Sequence, residues 1–121
     1  FLRYVKIDTQ SQPDVDAVPS TEKQKDLAAL LVQELTEMGA SDIRTDEHSY
    51  VYASIPSNLD HPVPTLALVA HMDTSPDVSG ANVNPRLVEY KGGEILLNKE
   101  KNIVLSPEDA AAAVLSRYPS P

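Results

Sequence analysis

Thr65-Leu66-Ala67-Leu68-Val69-Ala70-His71-Met72-Asp73-Thr74-Ser75 is an uninterrupted apolar run that ends in a His-x-Asp pair, with Pro76 close behind. A short continuous apolar segment is the pattern of a strand buried on both faces. In open α/β sheets, ligands gather beyond the carboxyl ends of such strands. The pattern therefore predicts an interior strand over 65–70, with His71 and Asp73 just past its end. Residues two apart in extended chain project to the same side, so the imidazole and the carboxylate are expected to meet.

Working outward, the chain on either side reads as an α/β layer. Thr21–Met38 carries Leu27, Leu30, Leu31, Leu35 and Met38 at helical spacing, a Thr21/Gln24 capping-box pattern at its start and Gly39 as its stop. The leucines are an ordinary core face. Phe1–Asp8 offers a short helical face, and the Pro-containing stretch Thr9–Ser20 a loop. Asp42–Thr45 and Tyr50–Ile55 read as short strands, with His48-Ser49 in the connection and Pro56 as the stop. After Asn58–Pro64 and the apolar run, Pro76, Gly80 and Pro85 keep the chain irregular. Leu87–Tyr90 and Glu94–Leu97, joined by Lys91-Gly92-Gly93, are expected to form a hairpin. Ser106-Pro107-Glu108-Asp109 then gives way to four alanines, Ala110–Ala113, and a short proline-ended tail.

The 121 residues suit one small domain or part of a larger one, and 41% hydrophobic with 23% charged residues is ordinary for a globular protein. Ten basic against eighteen acidic residues give a net charge of -8. Without a basic cluster, such a chain is a poor binder of nucleic acid or of anionic membrane. The absence of cysteine removes disulfides, thiolate ligands and cysteine nucleophiles together. The longest apolar stretches, near Leu27–Val32 and Leu66–Ala70, are too short to span a bilayer, and Phe1-Leu2-Arg3-Tyr4 is not a signal peptide. A cytoplasmic protein is the expectation. The chain starts without Met, as a processed or truncated product would.

A bare His-x-Asp is a common pair. Its position gives it two readings. A metal-ligating histidine usually donates its other ring proton to a carboxylate, which fixes the tautomer and strengthens the metal bond, and Asp73 could serve His71 in that way. Alternatively, Asp73 caps the turn over Asp73-Thr74-Ser75-Pro76. The other candidates carry less. His48 reads as a solvated turn residue and His61 as loop surface. Asp14 and Asp16 lack the glycine and spacing of an EF-hand loop. No phosphate-binding glycine loop and no Gly-x-Ser-x-Gly elbow occurs.

Several segments together carry a family resemblance. Phe1-Leu2-Arg3-Tyr4-Val5-Lys6-Ile7-Asp8-Thr9-Gln10-Ser11, Gln24-Lys25-Asp26-Leu27-Ala28, Leu35-Thr36-Glu37-Met38-Gly39-Ala40 and, above all, Ala70-His71-Met72-Asp73-Thr74-Ser75-Pro76-Asp77 resemble the M20 family of dinuclear-zinc metallopeptidases, and within it the tripeptide aminopeptidases. The likeness runs from Phe1 to about Asp109 and includes Asn82–Tyr90 and the Gly92-Gly93 turn; residues 110–121 depart from it and read as a tail that is not native to the family. The resemblance implies an α/β/α zinc-exopeptidase catalytic domain with a mixed sheet and two Zn2+ ions, of which residues 1–109 are the N-terminal portion. It implies that His71 ligates one zinc and that Asp73 is the catalytic-site acid orienting it. The family's bridging aspartate, paired glutamates, further carboxylate ligand and late histidine have no counterpart in this chain.

The activity so implied is zinc-dependent release of the N-terminal residue from short peptides, tripeptides above all, with this chain an incomplete and inactive piece of that enzyme. Two alternatives stand beside it. One is a non-catalytic truncated product or interaction module, favoured by the alanine run. The other is a dipeptidase or deacylase of the same M20 family, which would share His71-x-Asp73 without matching the flanking segments so closely.

Overall fold

The computed structural model describes residues 1–108, so the alanine run and the rest of the 110–121 tail lie outside the described residues. It divides into two units, Phe1–Pro85 and the chain from Arg86 onward. Together they carry a helix and small antiparallel sheets, a mixed α/β content.

In the first unit a single turn of 3-10 helix at Tyr4–Lys6 precedes helix α1, Gln24–Glu37. Helix α1 begins two residues later than the capping box suggests. Residues 21–26 turn first through i to i+3 bonds, Gln24 N–H to Thr21 C=O and Lys25 N–H to Glu22 C=O. The Thr21 hydroxyl is drawn away from capping because it donates to the Gln10 carbonyl at 2.9 Å. Gln24 still reaches back, through its side-chain amide, to Thr21 Oγ1 at 3.1 Å. The helix ends as Gly39 predicts. Gly39 has φ +76°, its N–H bonds to Thr36 C=O, and Ala40 N–H bonds to Leu35 C=O. This is a Schellman closure, and it needs a residue at home in the left-handed region.

The buried positions Gln24, Leu27, Ala28 and Glu34 share one stripe of α1. At the far end Met38, expected on the core face, is exposed, because it already caps the helix. The Glu34 carboxylate ties α1 to the N-terminus, accepting the Tyr4 hydroxyl and pairing with the Arg3 guanidinium at 2.5 Å. Donation to Glu34 raises the Tyr4 pKa above the usual phenol value, with partial burial adding to it.

Helix α1 packs against an antiparallel pair, β1 (Ser41–Thr45) and β2 (Val51–Ser54), close to the strands read from sequence. The register runs Ser41↔Ser54, Arg44↔Tyr52 and Thr45↔Val51, which leaves one extra residue on β1. Asp42, at φ 52°, sits in that bulge. Asp46 organises the connection, accepting His48 N–H at 3.0 Å, Tyr50 N–H at 2.9 Å and the Tyr52 hydroxyl at 3.2 Å. Partial burial pushes the Asp46 pKa up, but these donations outweigh it and hold the carboxyl below its ordinary value. Arg44 stacks its guanidinium 4.3 Å from the Tyr52 ring centroid.

Two sequence expectations fail. Residues 65–70 form no strand, and Leu66, Leu68 and Val69 are 83%, 90% and 96% exposed. Apolarity selects burial, but a strand also needs backbone partners along its edges. Among the described residues, none pairs with this run. The expected mixed sheet is accordingly replaced by separate two-stranded antiparallel pairs.

The second unit holds the other revision. Gly92 and Gly93 do take positive φ, 98° and 80°, yet the paired strands lie beyond them, β3 (Ile95–Asn98) with β4 (Ile103–Leu105). Asn98 Oδ1 accepts Lys101 N–H at 2.9 Å, and Asn102 adopts φ 50°. The segment 98–102 thus closes its own turn, between apolar residues better suited to pairing than those before Lys91.

The Schellman closure is testable. A Cβ on Gly39 would meet nothing within 4 Å, so any penalty is conformational. Gly39→Ala should destabilise the first unit by about 1 kcal/mol, and Gly39→Asn by less. Urea unfolding followed by helical circular dichroism measures both.

Candidate functional site

Beyond residue 70 the chain is fastened to the N-terminal segment. Thr74 N–H donates to Thr9 C=O at 3.2 Å and Ser11 N–H donates to Thr74 C=O at 3.0 Å. These bonds make a parallel bridge between Gln10 and Thr74. The Ser11 hydroxyl adds a second donation to Thr74 C=O at 3.0 Å. The Gln10 side-chain amide donates to Pro76 C=O at 2.9 Å and to Val78 C=O at 3.1 Å. Behind the bridge, Asp8 accepts Gln10 N–H at 3.0 Å and pairs with Lys23 Nζ at 2.9 Å. Gly80 closes against this junction, where a Cβ would lie 2.9 Å from Asp8 Oδ1 and 3.2 Å from Thr74 Oγ1.

On this anchored segment His71 and Asp73 meet. His71 Nδ1 lies 2.9 Å from the Asp73 backbone oxygen and 3.1 Å from Asp73 Oδ1. Both partners are acceptors, so the contact is made by a proton on Nδ1. The His71 side chain is 84% exposed and that of Asp73 42%, which leaves Nε2 open. The contact arises in a loop rather than by side-chain alternation along a strand, and the backbone carbonyl shares the imidazole proton with the carboxylate. The turn that follows is organised by Ser75 and Asp77: Ser75 Oγ accepts Asp77 N–H at 3.2 Å and donates to Asp77 Oδ2 at 2.6 Å.

The remaining histidines stand apart from this pair. His61 Nδ1 lies 3.0 Å from Asp60 Oδ1 and is solvent-exposed. His48 occupies the β1–β2 connection, 6.0 Å between ring centroids from Tyr50. Among the described residues, no three histidine or acidic side chains converge to hold a metal ion. The His71–Asp73 pair is thus one imidazole with a carboxylate beside it, where a catalytic zinc takes about three protein ligands. Beside the pair runs a groove of about 490 Å³, lined in part by Tyr4, Ile7, Leu27, Met72, Val78 and Val83.

Asp8, Gln10, Lys23 and Gly80 did not stand out in the sequence. Asp8-Thr9-Gln10-Ser11 is a polar run with no periodicity, and its partners are more than sixty residues away. Its one signal is composition: with Gln12 it makes five consecutive hydrogen-bonding side chains just ahead of Pro13.

No protein-family model matches the chain. Curated proteins do. Over 110 residues, 90% of this chain, it is 54% identical to peptidase T of Halothermothrix orenii and 50% identical to peptidase T of Geobacillus thermodenitrificans, covering 27% of each. Over 106 residues it is 55% identical to peptidase T of Clostridium botulinum, 26% of that protein. The chain is homologous to these proteins and spans about a quarter of their length.

The Asp8–Lys23 pair generates a pH prediction. Hydrogen bonding from Lys23, and then from Gln10 N–H, holds the Asp8 carboxyl below its ordinary range. A carboxyl depressed in the folded state contributes stability above its unfolded pKa, about 3.9, and loses it as pH falls through the folded value. Acid unfolding of the first unit should therefore steepen below about pH 4. In Asp8→Asn that component should be missing, as read by pH titration of helical circular dichroism.

Proposed function

We propose, from its homology with peptidase T, that this chain forms the part of a zinc-dependent aminopeptidase that presents His71 to the metal. The substrates are short peptides, and the reaction releases the N-terminal residue of tripeptides. The observation that carries the reading is the 50–55% identity with peptidase T proteins over nearly the whole chain, together with an imidazole whose Nε2 is open.

On this reading His71 Nε2 holds one of two zinc ions. Asp73 keeps the proton on Nδ1, and its negative charge makes Nε2 the better donor. Zinc in such a site supplies a Lewis acid for the scissile carbonyl and a water activated at neutral pH. The remaining ligands and the proton-shuttling acid belong to the three-quarters of the relatives that this chain does not span. The exposed run 65–70 then becomes an interior strand of a larger α/β/α domain, the setting in which an apolar segment of this kind is stable. A cytoplasmic location belongs to this reading; a net charge of -8 disfavours binding to nucleic acid or anionic membrane, and among the described residues no helix is long and apolar enough to cross a bilayer.

The test exchanges this chain for the matched segment of the Halothermothrix orenii protein and measures zinc content beside tripeptide hydrolysis. The chimera should bind zinc and release N-terminal residues. His71→Ala should lose both. Asp73→Asn should retain zinc at saturating metal and turn over about 10- to 100-fold more slowly. If Asp73→Asn equals the parent chimera in both measurements, the orienting role is wrong. A chimera that folds and binds zinc but leaves tripeptides intact overturns the aminopeptidase reading. The 121-residue chain alone should show no turnover above a zinc-only blank.

A further inference from the structure

We infer that Gln10 is a positioning residue for the His71–Asp73 arm, clamping the segment after it through two carbonyls of that segment. The inference rests on the proposed function only in giving the arm a metal to hold; the clamp itself is a matter of geometry.

A primary amide has two N–H donors, and here they face two carbonyl oxygens, Pro76 at 2.9 Å and Val78 at 3.1 Å. The backbone of the same residue lies opposite Thr74 in the parallel bridge. Residues 74, 76 and 78 are thus held from one point on the N-terminal segment. That point is itself fixed to the start of α1, because the Gln10 carbonyl accepts the Thr21 hydroxyl at 2.9 Å and Asp8, which accepts Gln10 N–H, pairs with Lys23. The consequence reaches Asp73 through one peptide bond. Its backbone oxygen, an acceptor for His71 Nδ1 at 2.9 Å, belongs to the peptide group whose N–H is that of Thr74, and that N–H donates to Thr9. Holding Thr74 therefore orients the carbonyl that selects the His71 tautomer. Loop polarity alone would not require a donor pair at position 10; two converging carbonyls do.

The clamp predicts an order that packing would not produce. Gln10→Met keeps the length and methylenes but removes both donors. Gln10→Glu keeps the shape and turns acceptors toward two carbonyl oxygens, which repels them. The 121-residue chain and these variants are compared at neutral pH by amide hydrogen exchange and by nitrogen NMR of the imidazoles. In the parent, the Ser11 and Thr74 amides should be protected and His71 should be mainly the Nδ1–H tautomer. Exchange at both amides should accelerate by about tenfold in Gln10→Met and further in Gln10→Glu. The His71 signal should move toward the Nε2–H tautomer in the same order, while the amides of Leu30 and Leu31 in α1 stay protected.

Unchanged Thr74 exchange and an unchanged His71 tautomer in Gln10→Glu overturn the inference. Equal loss of protection in α1 also overturns it, since Gln10 would then serve folding at large. Neither readout uses metal or peptide, so the clamp can fail while the aminopeptidase reading stands, and the chimera can fail while the clamp stands.

Discussion

The bridge between Gln10 and Thr74 is the contact on which the placement of the loop carrying His71 and Asp73 depends. It joins the N-terminal segment to the loop carrying His71 and Asp73, across a sequence gap that includes α1, β1 and β2. Closing so long a loop costs conformational entropy, which one backbone pair does not offset. The junction meets that cost by concentrating bonds. Ser11, Gln10, Asp8, Thr21 and Lys23 all contribute, and Gly80 lets the chain approach closely enough for them to do so.

This dependence on polar contacts follows from the small apolar core. Leu27 and Ala28 are the buried hydrophobic residues among those described, whereas Thr9, Gln24, Glu34 and Ser49 are buried polar ones. Buried polar groups stabilise a fold only where they find partners. Gln24 reaches Ser20 and Thr21, the Thr9 carbonyl accepts from Thr74, and Ser49 N–H donates to Asp46 C=O, while Glu34 takes the Tyr4 hydroxyl at one carboxylate oxygen and has only the Arg3 ion pair at the other. The apolar material that could have built a larger core, Leu66 through Val69, stays exposed. The chain itself spans about a quarter of the length of its relatives.

Orientation and coordination separate in the same way. His71 Nδ1 meets two oxygens of Asp73, all within three consecutive residues, and the Gln10–Thr74 junction holds the segment that follows. A metal centre needs donors from several elements brought together by a sheet, and the described residues bring together one.

Helix α1, its glycine stop and the β1–β2 pair were legible in the sequence because their causes are local. Leucines at helical spacing, a left-handed glycine at position 39 and an Asp-centred turn act within a few residues of themselves. The His71–Asp73 contact was legible for the same reason, although the sharing of the proton with a backbone carbonyl was not. Which apolar segments pair was decided by tertiary structure. Residues 65–70 carry the stronger strand pattern yet lie unpaired, while Ile95–Asn98 and Ile103–Leu105 pair because Asn98 and Asn102 close the turn between them. Only the fold could reveal Asp8, Gln10 and Gly80 as a junction, since hydrogen bonds between residues sixty and more positions apart leave no periodic trace in sequence. Local chemistry wrote the elements and the His71–Asp73 contact; the bridge that holds the segment after it in place depends on a long loop being closed.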